Sequence, residues 1–598
     1  MAYRAPVADI LFSLKHAAGF AQAQRDGLYD LGDDDLEAIL EAAGRFAGEA
    51  IAPLNAIGDR FGTPFDDGRV TMPPGWKEAY RAWAAAGWNG LAAPSKWGGQ
   101  GLPRAVNAAC TEMWNAASMA FAVAPLLTMS AIDALAAHGS ADLKKTYLPK
   151  LVSGEWMGTM QLTEPQAGSD VGALRTKAER AGDGSYRIVG TKIFITYGEH
   201  DLTDNIIHFV LARLAGAPEG TRGLSLFLVP KFMVGPDGTL GKRNDVRAHS
   251  IEHKMGIHAS PTCTMVYGDR GGAIGYLVGE ENRGMACMFT MMNAARLGIG
   301  LQGVAVAEAA TQQAIAYARE RRQGHPIGVR SADGQGAAVP IIMQPDVRRM
   351  LITMRALTRA ARAICYSTAV ALDRAELVPD PTARAAAHER AALLTPVAKA
   401  YSTDIGSEVA SLGIQVHGGM GFIEETGVAQ LYRDARIAQI YEGTNGIQAI
   451  DLVTRKLPMS GGGAVRACLD DMHRTADAVR TANDPAFGAT GERLGGAVHN
   501  LAAATEWMLE RLATAPEAAL AGATPYVRLF ALAAGGAMLA DEALAAARET
   551  DSDAADRPGR IAVARFFAEH IAVQAPALAG TIMAGADAVL AAGPGIEH

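Results

Sequence analysis

The sequence predicts a mainly α-helical fold with one β domain in its middle and an additional helical domain at its C-terminus. Three observations carry this. Apolar residues recur at helical spacing over the first part of the chain, and strand-like runs crowd into the stretch after Trp156. Alanine-rich helical patterns then return after Asn282 and again beyond a triple glycine at Gly461-Gly462-Gly463, which reads as a linker. A chain of 598 residues exceeds one ordinary domain. The composition shifts divide it into an N-terminal α-helical domain (1–157), a middle antiparallel β domain (158–280), a C-terminal helical domain (281–458) and the additional helical domain (459–598).

In the first domain Leu36, Ile39, Leu40, Ala43 and Phe46 are three and four residues apart, and Asp33-Asp34-Asp35 places negative charge at the positive end of a helix macrodipole. In the second, the runs 186–189, 192–196, 206–211, 224–229 and 262–267 are rich in β-branched and aromatic residues. Turns such as Gly182-Asp183-Gly184 and Pro236-Asp237-Gly238 punctuate them. The third is helical except for a Gly/Pro/Ser-containing loop from Gly324 to Pro340, and its Met-rich start (Met285 to Met292) reads as core.

The formal charge of −8 argues against a nucleic-acid or anionic-membrane partner. The tail after residue 460 carries 17 acidic residues against 10 arginines and no lysine, a solvated surface rather than a docking site. Five cysteines, widely spaced and without a CxxC, suit a reducing compartment and not a disulfide framework or zinc ribbon. No run approaches the roughly 20 uninterrupted apolar residues that span a bilayer, and the start of the chain shows no apolar signal segment. The expectation is a soluble cytoplasmic protein with no membrane partner.

Two patterns mislead. Gly298-Ile299-Gly300-Leu301-Gln302-Gly303 matches the dinucleotide fingerprint, but no strand precedes it, so these glycines are read as close-packing positions inside one continuous helix. His249-Ser250-Ile251-Glu252-His253 matches a zinc pattern that works only on a helix, and its surroundings are strand-like. No metal site is expected.

The chemistry concentrates in four stretches. Gln439-Ile440-Tyr441-Glu442-Gly443-Thr444-Asn445 places a glutamate between an apolar run and a glycine turn. Desolvation there would raise its pKa and fit it to take a proton from carbon; alone, such a glutamate is more often a surface helix end. Thr163-Glu164-Pro165-Gln166-Ala167-Gly168-Ser169-Asp170 ends a strand in a turn that gathers hydroxyls and N–H groups. Gly190-Thr191-Lys192-Ile193-Phe194-Ile195-Thr196-Tyr197-Gly198 is a strand with alternating side chains. Asn293-Ala294-Ala295-Arg296 puts an arginine inside an apolar helix, where it needs a partner.

These stretches, in their order along the chain, closely resemble the acyl-CoA dehydrogenases, whose patterns include T-E-P-x-A-G-S-D and G-x-K-x-[WF]-I-[ST]-x-G. The resemblance implies an N-terminal helical domain, a middle β domain and a C-terminal four-helix bundle, with FAD as cofactor. It would have Thr163 hydrogen-bond the isoalloxazine, Ser169 contact the flavin diphosphate or the CoA arm, Phe194 stack on the flavin and Thr196 bond near N5. Phe194 stands where many relatives have Trp, losing an N–H donor. Asn293 and Arg296 fall on the CoA positions, with Asn replacing the usual Asp. Ala295 stands where some branched-chain members carry their catalytic glutamate, which leaves Glu442 as the base. Arg321 in Glu320-Arg321-Arg322 fits the arginine that reaches the FAD pyrophosphate across a subunit interface, although the F-G that normally follows is missing. Gln415, Gly418 and Gly419 would approach the adenosine diphosphate. Thr444 joins the cofactor set and Gly443 the substrate set.

The activity so implied is α,β-desaturation of an acyl-CoA thioester. Glu442 removes the α-proton while the β-hydrogen leaves as hydride to flavin N5, with the carbonyl polarised by the Glu442 N–H and a ribityl hydroxyl. Electrons would pass to an electron-transfer flavoprotein. The extra C-terminal domain resembles a longer branch, for which a homodimer is implied. The substrate class spans 3-methylthiopropanoyl-CoA and short or medium fatty acyl-CoA. An acyl-CoA oxidase and a DNA-binding member of the family are the alternatives; the acidic tail speaks against the latter.

Overall fold

The structure, a computed structural model, describes residues 3–235, 237–325, 338–548 and 556–596. Packing groups the chain into two compact units, neither of them a single run of sequence: Phe46–Leu102 with Ala117–Gly298, and Met1–Arg45 with Pro103–Ala116 and Ile299–His598.

The first unit is built on an eight-stranded sheet. Its order is Val246–Ile251, Thr262–Tyr267, Tyr186–Thr196, Ala273–Val278, Leu224–Pro230, Asn205–Leu214 and Trp156–Gln161, with Lys177–Arg180 pairing both Tyr186–Thr196 and Asn205–Leu214. Most pairings are antiparallel, as the sequence predicts. Trp156–Gln161 and Lys177–Arg180, however, each run parallel to Asn205–Leu214. The strand Asn205–Leu214 is buried on both faces. Ile207, Phe209 and Leu211 enter one apolar cluster and Val210 and Ala212 the other, which is why it reads as a continuous apolar run. Each fully buried Ile, Phe, Leu or Val here contributes roughly 2 kcal/mol.

The helix Met119–His138 covers one sheet face. Gly158 allows the approach, since a Cβ there would sit 2.6 Å from that of Ala131, and its N–H donates to Thr128 Oγ1 at 3.2 Å. Met288, Met291 and Met292 join the same cluster, so the methionine-rich run is core.

The second unit is helical. Pro345–Leu377 and Pro381–His417 form a long pair; Asp380 caps the second by accepting from Ala383 N at 2.7 Å, with Pro381 preset for the first turn. The tail helices Gly463–Ala482, Thr490–Thr514, Ala523–Arg548 and Arg557–Phe566 pack in the same unit. The triple glycine is a tight corner: Ser460, Gly461 and Gly462 have φ of 50°, 64° and 86°. The tail is fastened by buried charge. Arg560 donates to Glu542 and Asp9, at 3.0 Å each, and lies over the Phe12 ring at 3.7 Å, while Arg359 donates to both oxygens of Asp9.

Two helices, Met119–His138 and Ala523–Arg548, are long and apolar enough to cross a bilayer, which a search for uninterrupted apolar runs does not find. Their most apolar windows are 83% and 89% buried within the protein, as core helices are. The glycines 298, 300 and 303 lie in one helix, Gly284–Glu320, as expected. Gly300 and Gly303 admit the backbone of Ala398 and Ser402. His249 lies in a strand, and no cluster of metal-ligating side chains occurs among the described residues. All five cysteines are free and buried.

Candidate active site

Glu442 sits on a five-residue turn, 440–444, between a short 3₁₀ helix ending at Gln439 and the helix Asn445–Asp451. Glu442 and Gly443 are both left-handed, with φ of 55° and 84°. For a glutamate that conformation costs about 1–2 kcal/mol, so the surroundings must hold it. Glycine suits the next position: its φ is one that side-chain-bearing residues rarely adopt, and a Cβ there would meet Gln448 Nε2 at 2.6 Å, so that amide would have to move. That amide donates to the carbonyls of Glu442 and Gly443 at 3.3 and 3.4 Å. Thr444 caps the following helix by accepting from Ile447 N at 3.3 Å. The half-buried Tyr441 donates to Gln302 Oε1; desolvation, and then the charge of Glu442, push its hydroxyl pKa up. Glu442 itself is half-buried.

The ends of this turn are tied to the helix Pro381–His417. Gln439 Nε2 donates to Asp404 Oδ1 at 2.6 Å and Asn445 Nδ2 donates to the same oxygen at 2.7 Å. Ser407 donates to Gln439 Oε1 at 3.0 Å, and the buried Lys399 donates to Asn445 Oδ1 at 2.9 Å.

In the β-sheet unit, Thr163 and Phe194 are brought together: Ile193 N donates to Thr163 O at 2.9 Å. The strand Tyr186–Thr196 carries a bulge here, where its register against Thr262–Tyr267 shifts between Cys263 and Met265. Within it Phe194 takes φ 59° and the residue is 59% exposed. The bulge therefore turns an aromatic ring out of a strand whose neighbours Ile195 and Lys192 are buried. Thr163 and Thr196 are half-buried, and Ser169 is exposed.

Glu164 locks this arrangement. Its carboxylate accepts from Lys192 Nζ (2.8 Å), Thr176 Oγ1 (2.6 Å), Thr176 N (3.0 Å), Arg175 N (2.6 Å) and Gln166 Nε2 (2.7 Å). Burial alone would raise its pKa; Lys192 and these donors outweigh that and hold it at about 2. Burial draws Lys192 down to about 8 against the pull of Glu164.

On the helix Gly284–Glu320, Arg296 is buried, donates to Asn293 Oδ1 at 3.4 Å and lies 5.9 Å from the Phe289 ring centroid, while Asn293 is exposed. Arg321 is exposed just past the end of that helix, and part of the loop that follows lies outside the described residues. Gln415, Gly418 and Gly419 are exposed at the end of Pro381–His417, and a Cβ at either glycine would meet nothing within 4 Å.

The sequence reading passes over Glu164, Lys192, Lys399, Asp404 and Gln448. Glu164 and Lys192 sit inside the quoted motifs, and a lysine between the apolar residues of the 186–196 strand is the signal available for Lys192. Asp404 had none, because its partners are 35 and 41 positions away.

Comparison with known proteins gives a consistent picture. Four family models match in chain order: Acyl-CoA dehydrogenase, N-terminal domain (33–155), middle domain (159–269) and C-terminal domain (282–457), then Acetyl-CoA dehydrogenase C-terminal like (468–592). The chain is 47% identical over 595 residues to 3-methylmercaptopropionyl-CoA dehydrogenase of Ruegeria pomeroyi, covering 99% of this chain and 100% of that protein. It is 35% identical over 572 residues to a butyryl-CoA dehydrogenase of Syntrophomonas wolfei, covering 92% and 91%. An acyl-CoA dehydrogenase of Bacillus anthracis, solved in complex with FAD, shares the fold with a TM-score of 0.75 at 21% identity, covering 94% of this chain and 91% of that one. With three successive domain models and a full-length relative at this identity, the chain belongs to the acyl-CoA dehydrogenase family.

Proposed function

We propose that Glu442 is the base with which this acyl-CoA dehydrogenase takes the α-proton of an acyl-CoA thioester. The observation that carries the reading is the turn itself. A glutamate is held in a left-handed conformation, followed by a glycine that no other residue could replace without displacing Gln448. Strain of that kind is kept where a side chain must be aimed. The Glu442 N–H is the donor we assign to the thioester oxygen as enolate charge develops, a contribution of several kcal/mol when preorganised.

FAD is the family's cofactor, and the residues present fit it. Phe194 is an exposed aromatic residue on a strained bulge, Thr163 and Thr196 are half-buried hydroxyl-bearing residues, and Gly418 and Gly419 leave backbone open to close approach. Arg321, Ser169, Gln415 and Thr444 complete the proposed cofactor set. Asn293, Arg296, Gly443 and Ser169 are proposed to hold the substrate. When bound, the flavin supplies the acceptor for the β-hydride.

For the acyl group we propose 3-methylthiopropanoyl, because the relative at 47% identity is a 3-methylmercaptopropionyl-CoA dehydrogenase. The second reading is a short-chain fatty acyl group, supported by the butyryl-CoA dehydrogenase relative. An electron-transfer flavoprotein is the proposed electron acceptor, and a homodimer in the cytoplasm the proposed setting; the five free thiols suit a reducing compartment.

The test is anaerobic titration of the purified flavoprotein with 3-methylthiopropanoyl-, butanoyl-, octanoyl- and hexadecanoyl-CoA, following loss of visible flavin absorbance. Fast bleaching by the thioether ester supports the first reading, and preference for butanoyl the second. No bleaching by any of the four contradicts both.

A further inference from the structure

One carboxylate oxygen holds both ends of the turn that carries Glu442. Gln439 and Asn445 are each three residues from Glu442, one before it and one after, and both amides donate to Asp404 Oδ1, at 2.6 and 2.7 Å. The two amides are themselves held from the other side. Ser407 donates to Gln439 Oε1 and Lys399 to Asn445 Oδ1, while Asn445 Nδ2 also donates to Ala400 O at 3.1 Å. Every one of these partners lies on the helix Pro381–His417. Asp404, Gln439 and Asn445 are half-buried, and Lys399, Ala400 and Thr403 around them are buried, so these contacts are partly shielded from water. Charge-assisted hydrogen bonds of this kind are the short, strong ones.

We infer that Asp404 is a positioning residue, the clamp that sets the span of the 440–444 turn and thereby the aim of the Glu442 carboxylate. The inference rests on Glu442 being the base. The physical reason is that Glu442 and Gly443 occupy two successive left-handed positions. Such a pair relaxes once the separation of its ends is free to change. A carboxylate displaced by about 1 Å from its proton loses rate on the order of 100-fold without losing substrate affinity.

The test isolates proton removal from everything that follows it. An acyl-CoA with sulfur in place of its β-carbon has α-protons to lose and no β-hydrogen to transfer. In deuterium oxide the base takes an α-proton, exchanges it with solvent and returns a deuteron; no electrons move. With the FAD-loaded full-length enzyme, Asp404→Ala should slow this exchange, and kcat for a true substrate, on the order of 10- to 100-fold. FAD content should be unchanged and KM should stay within about threefold of wild type. Asp404→Asn, which keeps an oxygen acceptor of the same shape, should recover most of the rate. Should Asp404→Ala fail to retain FAD, Gln439→Leu and Asn445→Leu each release one end of the turn, and each should slow exchange while holding the cofactor.

Wild-type exchange in an FAD-loaded Asp404→Ala enzyme overturns the clamp, as does wild-type exchange in both single-end variants. Glu442→Gln separates the two levels. If it exchanges normally, the assignment of the base fails and the clamp falls with it. If it is inert while Asp404→Ala is normal, only the clamp falls.

Discussion

Lys192 and Glu164 meet in a fully buried ion pair, Nζ to Oε1 2.8 Å, with side chains 0% and 3% exposed. The pair joins the turn after one strand to the middle of another, and so fixes Thr163 relative to Phe194. Removing one member leaves the other charge buried, which costs far more than the net worth of the pair. Lys192→Met should destabilise the protein by about 3–5 kcal/mol, read as a lowered urea midpoint. A variant as stable as wild type would mean that water or a rearranged donor replaces the lysine.

The two best-buried perturbed carboxylates give opposite pH dependences. Glu164 is held at about 2, below its ordinary 4.5, so its contribution is complete above about pH 4.5 and is lost as pH falls towards 2. It amounts to roughly 3 kcal/mol. Glu164→Gln should flatten the acid limb of the stability profile in that window.

Asp373 behaves in the other sense. Burial raises it to about 6, against the pull of the Ala105 and Arg104 N–H groups and the Tyr29 hydroxyl, all of which it accepts from. Between about pH 3.8 and 6 the folded state binds the proton more tightly than the unfolded state, and stability falls as pH rises. Thermal unfolding of Asp373→Asn across this range should lose that slope; an unchanged slope would place its origin elsewhere.

Phe194 separates cofactor hold from stability. The residue is mostly exposed and its backbone is left-handed. Phe194→Gly relieves strain of about 1 kcal/mol while adding about 0.5–1 kcal/mol of unfolded-state entropy. The Tm of the apoprotein should therefore barely move. Loss of the proposed stacking face should raise the FAD Kd roughly tenfold, measurable by flavin fluorescence titration.

How much of this was legible in the sequence follows from which interactions are local. Leu36, Leu40 and Ala43 are all buried on one face of Asp33–Phe46, and their spacing alone finds that helix. Met119–His138 is buried nearly all round, so periodicity gives little there. The strands Lys177–Arg180 and Val246–Ile251 carry charged or exposed residues at alternate positions and escape a search for apolar runs. The parallel pairing of Trp156–Gln161 with Asn205–Leu214 is a property of the sheet and not of either segment. In the site, Glu442 and Phe194 are visible through their motifs. The left-handed conformations that make them useful are not, and Asp404 is only one acidic residue among many until its helix is packed against the turn.

The tail is part of the second unit's core rather than an independent appendage. Arg560, 1% exposed, joins Glu542 on a tail helix to Asp9 near the chain start. Arg560→Lys keeps the charge but cannot reproduce the two-armed geometry. It should cost about 2–4 kcal/mol, seen as earlier thermal unfolding and faster proteolysis.

Rapid anaerobic mixing of Glu442→Gln with 3-methylthiopropanoyl- and butanoyl-CoA tests whether Glu442 is the base. The variant should retain FAD and bind the thioester, yet reduce its flavin roughly 1,000-fold or more slower than wild type. Reduction at a near-normal rate would show that another group removes the α-proton.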